Sequence, residues 1–480
     1  MIKQLLIKFT ALAFLLTLLF TKSAFTQEVW SLERCIAHAN SNNLQLQLSD
    51  LSIENIKITE KQAKANRLPN LNGNIGYNIN FAGAIDPTTY EFRNQQIQNN
   101  NFGLTTQVSL YQGGRLKKLI EKSQLDLQKV LIDKEAAQND ISLTIASAYL
   151  SVLLAKEQLT ITGNQKGLSL EQKNNTQKLI DAGLLPEGDI LNLESQIINN
   201  EVNITTAQNG YDLALLNLKL LLDLDPNIEI ELESPPNIEP TANMIFAYKV
   251  DDIYAAALEN QPIIKSAKLD DAISIKNFEL AKTNRYPTLS FVGNLSTNFS
   301  TARQEIDNLI FSGVRPIGFV GLDRSAIVNE PIIIPSLKKI KFGTQLNDNF
   351  LQYIGLNLQI PIFNQFQVEN GIKQAELGIK TAQLNSRITK QNLNRTIRQA
   401  YFDALASGKT YQATQTSIEA LKTSYEYTEK RYNVGLATSL ELRTAQDALT
   451  LNELQAKSNK YDYLFKLKIL DYYLGNPIKF

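Results

Sequence analysis

The stretch Leu71–Phe81 reads LNGNIGYNINF, and its side chains alternate between two kinds. The odd-numbered positions carry leucine, glycine, isoleucine, tyrosine and phenylalanine, whereas the even-numbered positions are almost all asparagine. Successive side chains of a β-strand point to opposite faces of its sheet. The stretch therefore predicts a strand over residues 70–81 that has one apolar face and one polar face.

Three further stretches alternate in the same way and predict strands over residues 102–111, 288–299 and 353–363. Each has about the 9–11 residues with which a tilted strand crosses a bilayer. Alternation alone also fits a soluble sandwich with one buried face. Here, however, the strands form two isolated pairs between long helical stretches, and we expect no other strand-rich segment that could supply a second sheet. The apolar faces therefore point to lipid, and the polar faces point to water in a lumen.

Four strands are too few to close a barrel, because the smallest membrane barrels have about eight. An open sheet edge in hydrocarbon leaves backbone groups without hydrogen bonds, at several kcal/mol each. The chain is therefore expected to assemble with copies of itself. Cyclic symmetry gives eight strands in a dimer, twelve in a trimer and sixteen in a tetramer, and the strand count does not choose among them.

The two strand pairs belong to an internal duplication. A shift of 218 positions aligns residues 37–71 with residues 255–289, and a shift of 252 positions aligns Tyr211 with Tyr463. The second copy therefore holds 34 additional residues, which we place in the loop over residues 300–350. A repeat of about 200 residues is too long for a solenoid unit and indicates one tandem-duplicated fold.

We expect the first repeat at residues 27–224 and the second at residues 247–480. Each would contain a helix, a strand pair and two long helices. Residues 225–246 are rich in proline and glutamate and read as the linker between the repeats. Residues 82–101 read as the loop between the first two strands.

The first 26 residues read as a secretory signal peptide. Lys3 and Lys8 precede an apolar run over residues 9–20, and small residues follow over residues 23–26. The run of about 12 apolar residues is shorter than the roughly 20 that a spanning helix needs. Removing three lysines with this segment leaves 45 basic against 48 acidic residues, a net charge of about −3. This balance gives no indication of nucleic acid as a partner.

Most of the remaining sequence predicts long helices, without an interior proline, over residues 113–181, 187–224, 368–434 and 439–474. At a rise of about 1.5 Å per residue, 65 helical residues span roughly 100 Å, far more than a typical globular helix. Their apolar stripe contains many alanine and threonine residues, which favours small-residue packing in the wall of a tube over a leucine zipper. A solvent-exposed helical rod is the alternative.

Catalytic chemistry has few candidates in this sequence. His38 is the only histidine and Cys35 the only cysteine, which excludes nearly every catalytic triad, zinc cluster and redox pair. The tripeptide Gly408-Lys409-Thr410 imitates the end of a P-loop, but Asp403 stands where that motif requires a glycine. An active site built from aspartate and glutamate alone is the alternative that this leaves. We expect no enzyme activity, no cofactor and no metal site.

Five short motifs stand in the order and duplicate spacing of a known family. They are SLERCIAHA at 31–39, LPNL at 68–71, LYQGGR at 110–115, PIFN at 361–364 and RYNVGL at 431–436. Together with the duplicated order of helices and strands, they resemble the TolC-like outer membrane efflux protein family over residues 28–476.

The resemblance implies an α+β membrane protein: a tandem-duplicated, coiled-coil α-barrel continuous with a transmembrane β-barrel. Family members are homotrimers, so four strands per protomer give a 12-stranded barrel in outer membrane lipid, on a 12-helix periplasmic tube. The implied function is the passive exit duct of a tripartite efflux pump or a type I secretion system in a Gram-negative bacterium. The implied partners are a periplasmic adaptor (membrane fusion) protein and an inner membrane transporter.

The resemblance also implies roles for single residues. The turns at Gly183-Leu184 and Gly435-Leu436, with Tyr432, would form the periplasmic tips. The family's tip acids correspond to Asp189 and Glu441, which by three-fold symmetry would form acidic rings around the pore. An acid in the first turn of a helix is also favoured by the helix dipole alone.

The sequence departs from the family at two positions near these acidic rings, which we call the gate. Thr444 replaces a further acid of the family, and the adjacent residue is Arg443. At the steps between helix and strand, the positions of interest are Pro69, Gly113, Gly114, Arg115, Pro287 and Pro361. The second copy lacks the glycine pair, because it has Asn364-Gln365-Phe366-Gln367 there.

Two other functions remain open at this point. One is a surface binding or adhesion module in which the barrel is a platform for the enlarged second loop. The other is a soluble coiled-coil scaffold. A wide, water-filled lumen selects little, so the choice among drugs, metals and polypeptides is expected to lie in the transporter.

Overall fold

The structure, a computed structural model, describes residues 29–85, 92–183, 185–233, 240–322, 324 and 326–477. The predicted signal peptide and Leu184 lie outside this part of the chain. The described residues divide into two compact units. The helical unit contains those of residues 1–57, 125–272 and 380–480, and the sheet unit contains those of residues 58–124 and 273–379.

Each half of the chain has two shorter helices, a strand pair and two long helices. The first half holds β1 (Val29–Trp30), α1 (Leu32–Asn42), α2 (Leu44–Ala65), β2 (Asn70–Ile85), β3 (Phe92–Tyr111), α3 (Arg115–Asp181) and α4 (Gly188–Leu221). The second half holds β4 (Glu231–Leu232), a 3-10 helix (Ala242–Ala247), α5 (Val250–Asn260), α6 (Pro262–Thr283), β5 (Thr288–Ser300), β6 (Gln304–Val320), β7 (Ala326–Lys339), α7 (Phe342–Asp348), β8 (Leu351–Gln359), α8 (Gln367–Asn433) and α9 (Ser439–Leu474).

The long helices repeat closely between the halves. Helices α3 and α8 each have 67 residues, and α4 and α9 have 34 and 36 residues. No helix among the described residues is both long enough and apolar enough to span a membrane.

The hydrophobic core of the helical unit shows the duplication, because corresponding residues of the two copies are buried. Ile145 and Leu218 are fully buried in one hydrophobic cluster, and Ile397 and Leu470, which lie 252 positions later, are fully buried in another. Cys35 belongs to the first cluster, and burial raises the pKa of its thiol to about 12. The two copies therefore bury the same faces of corresponding helices.

The sheet unit contains a four-stranded antiparallel sheet in the order β2-β3-β5-β8. Its register places Leu104 beside Leu295 and Phe291 beside Leu356, so that apolar side chains of neighbouring strands share one face. Strands β2 and β8 lie at the edges, each paired on one side only among the described residues.

The strand bounds differ from those predicted. Strand β2 continues to Ile85 and β3 begins at Phe92, so most of the predicted loop over residues 82–101 is strand. Residues 93–101 are dominated by asparagine and glutamine and lack the alternation on which the prediction depended. Strand β8 spans Leu351–Gln359 instead of residues 353–363, and Pro361 follows its end.

The prediction of no further strand-rich segment was also wrong. Strands β6 and β7 pair antiparallel within the enlarged second loop and form a sheet of their own. The register of β6 shifts at three places, and each extra residue reverses the side-chain alternation. That interruption conceals a strand from a search for strict alternation.

The predicted linker also contains regular structure. Strand β4 pairs in parallel with β1, with Val29 beside Glu231 and Trp30 beside Leu232. The hydroxyl oxygen of Tyr149 lies 3.0 Å from the carbonyl oxygen of Trp30 and 2.5 Å from that of Glu233. This buried tyrosine therefore holds the start of the first repeat and the linker together.

Candidate functional site

The turn between α8 and α9 begins with a glycine in the left-handed conformation. Gly435 has a φ of 76°. The N–H of Leu436 donates to the carbonyl of Arg431 at 2.7 Å, and the N–H of Gly435 donates to that of Tyr432 at 2.9 Å. These two bonds form a Schellman motif, which satisfies carbonyl groups at the end of α8.

Helix α9 then begins with a capping box. The N–H of Glu441 donates to Oγ1 of Thr438 at 3.2 Å, and the N–H of Thr438 donates to the carboxylate of Glu441 at 2.8 Å. The pKa of the exposed Glu441 carboxyl is held below its usual range, mainly by the hydrogen bond from the Thr438 backbone N–H and also by the Thr438 side chain. The carboxylate therefore has a local structural role in starting α9.

The turn between α3 and α4 has the same left-handed glycine. Gly183 also has a φ of 76°, and its N–H donates to the carbonyl of Ile180 at 2.8 Å. Asp189 lies in the first turn of α4 and accepts a hydrogen bond from the hydroxyl of Ser439 at 2.9 Å. The two acids predicted to line a pore are thus both hydrogen-bonded within one protomer, Asp189 across the two turns and Glu441 within its own helix.

A small apolar cluster joins the two turns. Tyr432, Ala437 and Leu442 are buried together, with Leu185 and Tyr425 packed against them. The hydroxyl oxygen of Tyr432 lies 2.7 Å from that of Thr176, which is fully buried on α3. Burial raises the pKa of the Tyr432 phenol, so this side chain is neutral at physiological pH.

The residues that depart from the family's gate have partners in the same helix. Arg443 forms an ion pair with Asp447 at 3.5 Å, and the Thr444 hydroxyl donates to the carbonyl of Leu440 at 2.8 Å. The positive charge of Arg443 is therefore partly balanced one turn further along α9.

Three buried polar pairs between the long helices were missed by the sequence reasoning. They are Gln172–Gln446 at 3.0 Å, Ser169–Asn200 at 2.9 Å and Thr414–Asn459 at 2.8 Å. A buried polar group without a partner costs free energy, so each pair favours one register of its two helices over a shifted one. Nothing in the sequence marks these residues, because polar side chains at such positions usually face water.

The predicted junction residues cluster at the helix ends of the sheet unit. Pro69 and Pro287 directly precede β2 and β5. Gly113 and Gly114 have φ angles of 59° and 78°. Arg115 begins α3, and its guanidinium donates to Oδ1 of Asn284 at 3.0 Å.

The second copy keeps this backbone shape without glycine. Gln365 and Phe366 lie 252 positions after Gly113 and Gly114, and their φ angles are 54° and 62°. Left-handed backbone costs an ordinary residue about 1–2 kcal/mol, so the second junction is strained where the first is not.

No group of three or more histidine, cysteine, aspartate or glutamate residues among the described positions is arranged to hold a metal ion. The tripeptide Gly408-Lys409-Thr410 lies in the interior of α8, where it cannot form the glycine-rich turn of a P-loop.

A sequence model of the family described as outer membrane efflux protein matches residues 35–223 and 253–476. TolC of Escherichia coli is 22% identical over 331 residues, which cover 68% of this chain and 59% of that protein. The alkaline protease secretion protein AprF of Pseudomonas aeruginosa is 22% identical over 357 residues, with 72% and 64% covered. The chain thus spans less than two thirds of the length of these relatives.

Solved outer membrane channels share the fold. The CmeC outer membrane channel of Campylobacter jejuni superimposes with a TM-score of 0.71 at 17% identity, covering 93% of this chain and 86% of that one. CusC superimposes with a TM-score of 0.68 at 16% identity, covering 95% and 96%. The predicted fold class, a helical barrel with a β-domain, is confirmed.

These comparisons give no support to the adhesion alternative, because the similar proteins are channels and secretion proteins. They place the protein in the outer membrane of a Gram-negative bacterium. The matched segments cover both repeats and include Gly183, Asp189, Gly435 and Glu441. The chain belongs to the outer membrane efflux protein family.

Proposed function

We propose that this protein is the passive outer membrane exit duct of a tripartite efflux pump or a type I secretion system. The observation that carries the proposal is the four-stranded sheet, which has one apolar face and whose edge strands β2 and β8 have no outer partner in the described part of the chain. Such edges are unstable in hydrocarbon, so the sheet must continue into further copies. Three copies give a 12-stranded barrel, the assembly typical of the family.

The long helices supply the second part of the duct. Each protomer contributes the two helix pairs α3–α4 and α8–α9. Three protomers therefore supply twelve long helices, which would form the tube. Their outer faces would meet a periplasmic adaptor, and the adaptor would connect the duct to an inner membrane transporter. We propose no chemical reaction, because the transporter would supply the energy for export.

The first experiment is native mass spectrometry of the protein extracted from the outer membrane in detergent. We expect a trimer, since only closure removes the two open edges. The same preparation should form ion-conducting pores in planar bilayers. A monomeric species without conductance would overturn the proposal.

We further propose that Asp189 and Glu441 face the pore at its periplasmic tip. Asparagine at 189 can still accept the bond from Ser439, and glutamine at 441 still serves in a capping box. The double variant Asp189→Asn/Glu441→Gln therefore removes the charges with little change in structure. We expect its pores to lose cation selectivity in bilayer recordings. Unchanged selectivity would assign both acids to local structure alone.

A further inference from the structure

The hairpin of β6 and β7 has one face that is almost entirely apolar. Residues paired across two antiparallel strands share a face, so the register assigns the side chains without ambiguity. One residue of this face is polar, Asn329, which pairs with Pro316. The other residues make up the apolar hairpin face: Ile306, Leu309, Phe311, Val314, Pro316, Phe319, Ile327, Pro331, Ile333, Pro335 and Leu337.

The opposite face carries Glu305, Lys338, Arg315 and Glu330, and these charges are paired, whereas Lys339 lies at the base of the apolar hairpin face beyond Leu337. Lys338 lies 3.5 Å from Glu305 and 3.1 Å from Asp307, and Arg315 lies 2.7 Å from Glu330. The two faces therefore differ in charge: the opposite face carries ion pairs among the aliphatic residues Val320, Val328, Ile310, Ile332 and Ile334, whereas the apolar hairpin face has no charge between Ile306 and Phe319.

The exposed apolar surface is larger than a protein normally leaves in water. The eight largest side chains of the face are each 41–66% exposed. Their exposed area is on the order of 900 Å², whereas the largest apolar patch of a typical monomer is about 300–600 Å². About 800 Å² per partner is what a stable protein interface buries. The face is thus large enough for an interface and too large for a bare surface.

The edges of the hairpin are poorly suited to adding a strand. Three register shifts interrupt β6, and bulges of this kind twist an edge away from a new partner. Pro316, Pro331 and Pro335 lack the N–H that an added strand would need. A partner is therefore expected to pack on the apolar face and not to extend the sheet.

The base of the hairpin is fixed to the four-stranded sheet. The buried side chain of Gln345 on α7 accepts a bond from the N–H of Ser300 at 3.0 Å and donates to its carbonyl at 3.0 Å. The Thr297 hydroxyl donates to the carbonyl of Leu346 at 2.7 Å. Phe342 packs against Phe299, with ring centroids 4.9 Å apart. The hairpin is therefore held at the strand ends that lie away from the long helices.

We propose that the apolar hairpin faces of neighbouring copies of this chain pack against one another at the outer end of the barrel. Each chain supplies one hairpin between β5 and β8, and the copies that close the sheet bring their hairpins to the same end. In a three-fold ring each hairpin meets its neighbours through heterologous contacts, and copies of one residue come near one another only around the axis, so a face without charge avoids repulsion there. This inference rests on the proposed trimer, and it concerns a surface that the barrel itself does not need.

Cross-linking of single cysteines tests the proposal. In a Cys35→Ala background, Phe311→Cys places a thiol on the apolar hairpin face, and Ile310→Cys places one on the opposite face of the same strand. The wild-type residues are similarly exposed, at 63% and 53%. With a short bis-maleimide on the detergent-extracted protein, we expect a band of dimer size on a denaturing gel for Phe311→Cys only.

A charged substitution supplies an independent check. In a protein that carries Ile333→Cys, adding Phe311→Glu should lower the yield of cross-linked dimer at least tenfold, whereas Ile310→Glu should leave it unchanged. Native mass spectrometry on the same samples separates the two proposals. Trimers without face-specific cross-links would overturn this inference but not the proposed duct. The same result is expected if lipid or another protein covers the face. Monomers would overturn both.

Discussion

The hydroxyl groups of Tyr432 and Thr176 lie 2.7 Å apart and share a hydrogen bond between α8 and α3. Tyr432 is 2% exposed, and Thr176 is fully buried. The bond sits beside the apolar cluster that joins the two helix turns. One buried polar contact thus connects the two copies of the repeat at the end where the duct is expected to open.

Removing this hydroxyl should loosen the tip. Tyr432→Phe keeps the buried ring but leaves the Thr176 hydroxyl without its partner, at a cost of about 1 kcal/mol. We expect a larger single-channel conductance or more frequent opening in planar bilayers. Tyr427→Phe is the control, because Tyr427 lies on the same helix and is 68% exposed. Equal behaviour of the two variants would exclude a gating role for the bond.

The capping box at the start of α9 should be measurable by substitution of its first residue. Thr438→Ala removes the acceptor for the Glu441 N–H and should cost about 1 kcal/mol of helix stability. Thr438→Ser retains the hydroxyl and should cost little. Hydrogen exchange at the first turn of α9 reports the effect locally. Identical exchange in the alanine and serine variants would contradict the assigned cap.

The lowered pKa of Glu441 predicts a pH dependence at the same turn. An acid whose pKa falls on folding stabilises the folded state above its unfolded pKa, and the contribution disappears as pH falls through the folded value. Wild type should therefore exceed Glu441→Gln in protection of this turn at neutral pH, and the difference should shrink as pH falls below the usual glutamate pKa and vanish once it has passed the lowered folded pKa. Exchange rates must be compared with intrinsic rates at each pH. A difference that persists in acid would point to packing instead of charge.

The regular elements could be predicted because their patterns repeat. The alternation in Leu71–Phe81 identified a strand with an apolar face, and the uninterrupted helical stretches identified α3 and α8. The hairpin could not be recognised, since three bulges break its period and its three prolines read as loop. Residues 93–101 were missed because their pairing depends on backbone hydrogen bonds with β2 and not on side-chain alternation.

At the turns, too, some residues could be predicted from the sequence and others could not. The turns at Gly183 and Gly435 came from the family resemblance, and both glycines have the left-handed backbone that a helix end needs and that glycine adopts most easily. Thr176, which bonds Tyr432, could not be found, because a threonine in the interior of a helix carries no mark of its tertiary partner. The ring role of Asp189 and Glu441 stays a prediction, since it depends on the symmetry of the assembly.

Strain at the second junction predicts that a substitution to glycine there stabilises the folded protein. Gln365 is exposed and has a φ of 54°, so Gln365→Gly should relieve about 1–2 kcal/mol of backbone strain. Glycine also gains freedom in the unfolded chain, which offsets about 0.4–1 kcal/mol of that benefit. We therefore expect a modest rise in the melting temperature of the detergent-solubilised protein.

The first junction provides the matched controls. Gly114→Ala should lower the melting temperature through strain alone, because its φ is 78° and open space surrounds the new methyl group. Gly113→Ala should be worse, because a Cβ there would lie 2.7 Å from the Tyr286 side chain. Phe366→Gly is less informative, since it also removes a ring contact with Phe363. If Gln365→Gly destabilises as much as Gly114→Ala, the second copy must gain a compensating contact from glutamine, and the two junctions are not equivalent in energy.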